Sequence, residues 1–103
     1  MFDLHTLEGF EWDTGNARKN DKHGVSISEA EQVFLNRPLL FMPDTSHSAS
    51  EPRCHSLGIT SAGRFLHITF TVRGGGKLIR VISARDMHQK ERAIYAKRIE
   101  AGS

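Results

Sequence analysis

Apolar positions in this chain recur with helical spacing near its two ends and with strand spacing in between. Phe10-Glu11-Trp12 alternates and reads as a short strand or extended lead-in. Asp13, with Asn16 three residues on and Trp12 placed to staple onto Ala17, predicts a short polar helix from Thr14 to His23. Gly24 follows as its left-handed cap. Ser26 and Glu29 form a capping-box pattern, Val25 is placed to staple onto Ala30, and Ile27, Ala30, Val33 and Phe34 give one apolar face. That second helix ends before Pro38, which has no N–H to continue it.

From there the period drops to two. Leu39-Leu40-Phe41-Met42, stopped by Pro43-Asp44, predicts a strand near a sheet edge. After a polar loop from Thr45 to Pro52, residues 53–60 form a second strand with Leu57 and Ile59 on one face. In the next, Leu66, Ile68, Phe70 and Val72 alternate with His67, Thr69, Thr71 and Arg73. Gly74-Gly75-Gly76 is a hairpin turn, and Lys77 to Arg85 returns, so the economical topology is a β-meander. A last, highly charged helix is expected from Asp86 as its cap, with Gln89 third; Met87, Glu91, Ile94, Tyr95 and Arg98 fall at helical spacing, and the helix is either largely exposed or covers the sheet with Met87, Ile94 and Ile99 only. The fold class is therefore α+β: two short N-terminal helices, an antiparallel sheet and a C-terminal helix.

At 103 residues, 38% hydrophobic and 25% charged, the chain is sized for one domain with one modest core. Residues 1–9 and 98–103 are expected to be loosely ordered. A formal charge of only +2 means that local clustering of cations matters more than their total. The lone cysteine, Cys54, allows no internal disulfide. With neither a signal-peptide pattern at the start nor an apolar run of spanning length, the expected location is the cytoplasm, away from membranes.

The densest cationic cluster lies where the last strand meets the last helix: Arg80, Arg85, Lys90 and Arg92. Buried strands seldom carry Arg without a partner or ligand, so this junction points to a phosphate-bearing molecule or an acidic protein surface. In a regular strand Arg80 and Arg85, five residues apart, would face opposite ways. A bulge or twist near Ser83, or exit of Arg85 at the strand end, would bring both to one rim. Arg53 and Arg64 on neighbouring strands, and Lys22 at the end of the first helix, are further candidates for phosphate. His23 is the candidate acid or base, because imidazole titrates near neutrality; its other reading is a helix-end residue facing the last carbonyls. Glu91 reads either as a base or as half of a surface pair, and Arg85 and Arg92 equally as contacts to a protein partner. His47, Cys54, His55 and His67 lack compact zinc-ligand spacing, so no metal or other cofactor is expected.

Phe10-Glu11-Trp12-Asp13, Lys22-His23-Gly24-Val25, Glu29-Ala30-Glu31-Gln32-Val33-Phe34, Asn36-Arg37-Pro38-Leu39-Leu40 and Ile79-Arg80-Val81-Ile82-Ser83-Ala84-Arg85-Asp86-Met87 follow one another in a familiar order. With Lys90-Glu91-Arg92 and Tyr95, they make the chain resemble the BrnT family of toxins from type II toxin–antitoxin systems over roughly residues 10–95. The resemblance implies a RelE-like fold and a metal-independent endoribonuclease that arrests translation, with RNA as substrate. It also implies a BrnA-type antitoxin with a ribbon-helix-helix part, assembled with the toxin in a hetero-oligomer that reaches promoter DNA only through the antitoxin. On that reading His23, Arg80 and Glu91 carry catalysis, while Lys22, Arg53, Arg64, Arg85 and Arg92 bind phosphate. The competing readings are a non-catalytic antitoxin-binding module and a nucleic-acid binder of the same fold. Salt dependence separates phosphate binding from an apolar protein interface.

Overall fold

The structure, a computed structural model, describes residues 7–12, 24–43 and 53–102. Its elements are β1 (Gly9–Glu11), α1 (Ile27–Leu35), β2 (Leu40–Pro43), β3 (Cys54–Ile59), β4 (Phe65–Arg73), β5 (Leu78–Asp86) and α2 (Gln89–Gly102). The five strands form one sheet in the order β1-β5-β4-β3-β2. Strands β2 to β5 are the expected meander. The sheet is nevertheless mixed, because β1 adds in parallel beside β5, pairing Gly9 with Leu78 and Glu11 with Arg80. Of the two N-terminal helices expected, one is α1; the other, residues 14–23, lies outside the described residues, as do its Asp13 cap and the Trp12–Ala17 staple.

Each face of the sheet is set by strand alternation. One face carries Leu66, Ile68, Phe70, Ile79, Val81 and Ala84, all fully buried beneath Val25, Ala30, Val33 and Phe34 of α1 and its approach. The capping box forms as the sequence predicts: Ser26 Oγ accepts from Glu29 N at 3.1 Å, and Glu29 Oε1 accepts from Ser26 N at 3.0 Å. Gly58 lets this helix sit close to β3, since a Cβ there would fall 2.6 Å from Val33 Cγ1. Trp12 packs at the margin of the same core and donates from Nε1 to Glu31 at 2.9 Å.

The opposite face has two parts. Toward β2 it is apolar: Leu57, Leu40, Met42 and Phe65 pack under Met87 and Tyr95. Here the sequence expectation needs correcting. Tyr95, 1% exposed, anchors α2, with its hydroxyl donating to Pro38 O and its ring edge-on to Phe65. Ile94 and Ile99, which one of the two readings laid over the sheet, are exposed, in line with the other reading of a largely exposed helix. Asp86 is not the helix cap either: β5 runs through it, and Glu91 accepts from His88 N at 2.8 Å just ahead of α2. The helix continues through residues 98–102. No helix among the described residues is long and apolar enough to cross a membrane.

Beyond α2, the same face is polar. From β3 it presents His55; from β4, His67, Thr69, Thr71 and Arg73; from β5, Arg80 and Arg85; and from β1, Glu11.

Candidate active site

The two β5 arginines share this face because of one extra residue. Thr69 pairs with Ser83, yet the next residue, Phe70, pairs with Val81, leaving Ile82 as a bulge. A bulge shifts the alternation of one strand by one position. Ile79 and Val81 before it and Ala84 after it therefore all face the α1 core, while Arg80 and Arg85 both face the other way, opposite Thr71 and His67.

Each arginine is held by a carboxylate. Arg80 Nη1 donates to Glu11 Oε1 at 3.1 Å, an interaction that depends on β1 lying beside β5. Arg85 grips Glu91 with both ends of its fork, Nη1 to Oε1 at 2.8 Å and Nη2 to Oε2 at 3.0 Å. Burial opposes the Glu91 charge, but the Arg85 fork and the His88 N–H outweigh it and bring the carboxyl down to about 2. Such a group stays ionised at neutral pH and is a weak base.

Beside this pair sit two imidazoles, with ring centroids 5.0 Å apart. His55 is half-buried and shares a 3.0 Å hydrogen bond between its Nδ1 and Thr69 Oγ1. His67 is buried, its Nε2 3.8 Å from Glu91 Oε2. Burial first, and then the neighbouring Arg85 charge, push His67 down to about 4 against the pull of Glu91, so it is neutral at pH 7. Its Nδ1 is buried and without a hydrogen-bond partner among the described residues. A buried polar atom left unpaired is costly and stands out in a packed domain. Thus one sheet face brings together two cations, two imidazoles and hydroxyl donors, which is the chemistry needed to hold a phosphodiester and move protons around it.

The other residues singled out from sequence lie elsewhere or outside the described residues. Lys22 and His23 are outside them. Arg53 is exposed just ahead of β3. Arg64 ties α1 to the end of β5. It donates to Asp86 from Nε (2.7 Å) and Nη2 (3.1 Å), and from Nη1 to Gly24 O (2.7 Å) and Glu29 Oε2 (3.1 Å). These bonds raise the Arg64 pKa further and hold Asp86 below the usual carboxylate range. Arg92 is exposed, its guanidinium 5.2 Å over the Phe65 ring, and lines with Arg64 a shallow pocket of about 250 Å³. Among the described residues, no three His, Cys, Asp or Glu side chains converge as a metal site. The half-buried Cys54 faces the α1 core, and burial pushes its thiol up.

Sequence reasoning weighed His55 and His67 only as zinc ligands. Their alternation with the apolar positions of β3 and β4 was a usable signal, because it puts both on the face that receives Arg85. Residues 12–91 match the family described as the ribonuclease toxin, BrnT, of type II toxin-antitoxin systems. No individually curated protein matches the chain.

Proposed function

Since the chain belongs to the BrnT family of ribonuclease toxins of type II toxin–antitoxin systems, we propose that it cleaves RNA on the polar face of its sheet without a metal ion, and that the cleavage stops translation. The observation that carries the proposal is the β5 bulge at Ile82, which puts Arg80 and Arg85 on the same sheet face as His55 and His67. The scissile phosphate lies over Arg80 and Arg85, competing with Glu11 for the Arg80 guanidinium. As the 2′-hydroxyl attacks phosphorus, negative charge grows on the non-bridging oxygens, where planar guanidinium donors are most effective. His55, the more exposed imidazole, takes the 2′-hydroxyl proton, and Thr69 orients it. Glu91, too weak a base for that task, acts by holding Arg85 in place. His23 is assigned the complementary proton, delivered to the leaving 5′-oxygen. Lys22, Arg53, Arg64 and Arg92 are assigned to flanking phosphates. Family membership implies an RNA substrate and an antitoxin partner; that the antitoxin is of the BrnA type, with a ribbon-helix-helix part, and that the fold is RelE-like, belong to this proposal.

The test is cleavage of a labelled single-stranded RNA in EDTA by wild-type protein and by Arg80→Ala, Arg85→Ala and His55→Ala. Loss of one charged donor is expected to lower the rate about 10²–10³-fold, and loss of the proton carrier about 10²–10⁴-fold. Folded variants that cleave at the wild-type rate would remove the site from this face. Activity abolished by EDTA and restored by a divalent cation would remove the metal-free mechanism.

A further inference from the structure

On the far side of α2 from the arginine pair, β2 and the C-terminal half of the helix enclose a groove of about 600 Å³. Its floor is apolar, built from residues 39–42 with Ile94 and Ala101, and its rim carries Lys97 and Arg98. Five large apolar side chains are exposed among the described residues, and one of them, Ile94 at 48%, stands in this groove above Leu40 and Met42; the Phe41 ring packs instead against Phe70 on the α1 face. The helix is otherwise a cationic surface. Lys90, Arg92, Lys97 and Arg98 are exposed on it, whereas Glu91 is turned in toward Arg85 and only Glu100 remains outside to oppose them.

We propose that this groove is the docking site of the antitoxin, taking a segment that combines bulky apolar side chains with Asp or Glu. This rests on the toxin reading above and adds where the partner binds and what it must look like. Charge complementarity selects the occupant. A second copy of the chain would bring the same cationic helix against this one, and like charges at an interface cost several kcal/mol. RNA would match the rim but leave the apolar floor facing water. A segment with apolar anchors and acidic flanks satisfies both, covering Ile94, Leu40 and Met42 at the centre and pairing with Lys97 and Arg98 at the edge. The groove lies on the same helix whose first turn fixes Arg85, so its occupant sits directly on an element that builds the cleavage site.

The experiment titrates the purified chain with the protein encoded by the adjoining reading frame, following both binding and inhibition of RNA cleavage. The variants are Ile94→Asp, the pair Lys97→Glu and Arg98→Glu, and Leu35→Asp as a control on exposed α1 surface. Ile94→Asp is expected to weaken binding at least about 30-fold, in the range of a truncated central anchor. The charge reversal should weaken it about tenfold at low salt and flatten its salt dependence. Leu35→Asp should leave it unchanged, and all variants should still cleave RNA. Equal binding by all variants overturns the groove as the docking site. Wild-type protein that cleaves RNA yet does not bind the adjoining product also overturns the docking proposal while sparing the enzyme. Wild-type protein that neither cleaves nor binds removes the toxin reading itself.

Discussion

Replacing Glu91 by Gln keeps the shape of the side chain and removes the charge that Arg85 grips from two sides. Glu91 is 17% exposed and Arg85 27%, so the pair is neither a solvated surface bridge nor a fully buried one. The carboxyl is brought from an ordinary 4.5 to about 2 in the folded protein, a difference worth roughly 3 kcal/mol at 1.36 kcal/mol per pH unit. Water at the exposed quarter of Arg85 screens part of this, so Glu91→Gln should cost about 2 kcal/mol at pH 7. For a domain of this size that corresponds to a melting temperature about 8–16 °C lower. The sign of the pH dependence follows from the lowered pKa. The stabilisation is fully present above pH 4.5 and is lost as pH falls through about 2, where the folded wild-type side chain becomes protonated as well. Denaturant unfolding of both proteins at pH 7 and at pH 2.5 should therefore give curves that lie far apart at the first pH and much closer at the second, with about a quarter of the gap left. A gap below about 0.5 kcal/mol at pH 7, or one that persists undiminished at pH 2.5, would refute the ion-pair account of this residue.

Three further outcomes follow from the packing and the buried imidazole. Because His67 is neutral and 8% exposed on its side chain, with its pKa lowered from 6.5 to about 4, the unfolded chain binds the extra proton between those values. Stability should thus fall by roughly 2 kcal/mol between pH 7 and pH 5, and a thermal-melt series on His67→Gln should lose that slope. Gly58→Ala should destabilise by about 1–3 kcal/mol, since its Cβ would meet Val33 of α1 at 2.6 Å; a melting temperature equal to wild type would contradict the close approach. Tyr95→Phe, which removes the bond to Pro38 O but keeps the ring, should cost about 1 kcal/mol in chemical denaturation.

How much of this was legible in the sequence depends on the range of the interaction. The α1 capping box, the Gly74–Gly76 turn with its three positive φ angles, and the meander strands are local, and each is written within a few neighbouring residues. Strand β1 was recognisable as extended chain, but its partner lies about seventy residues away, and no local pattern says that it joins β5 in parallel. Helix α2 misled because its apolar residues make no coherent stripe: Tyr95 is buried by the geometry of the β2–β3 end, while Ile94 beside it is not. The Ile82 bulge was foreseen only as one of several ways to bring Arg80 and Arg85 together. The histidines were overlooked because polar positions alternating along a strand usually face water. Here the long side chains around them bury His67 and, to a lesser extent, His55.

The placement of β5 between β1 and β4 also sets a timetable for the chain as it is synthesised. Residues 9–11 emerge first, yet the edge they need is not made until residues 78–80 follow. Pairings so distant in sequence form slowly and late. The strand that carries both arginines is the last of the described strands to be translated, and Glu91 comes after it, so a nascent chain cannot assemble the proposed site until both have emerged. A chain cut after Gly76 keeps β2 to β4 but, lacking β5 and the edge that β1 needs, should show no cooperative unfolding.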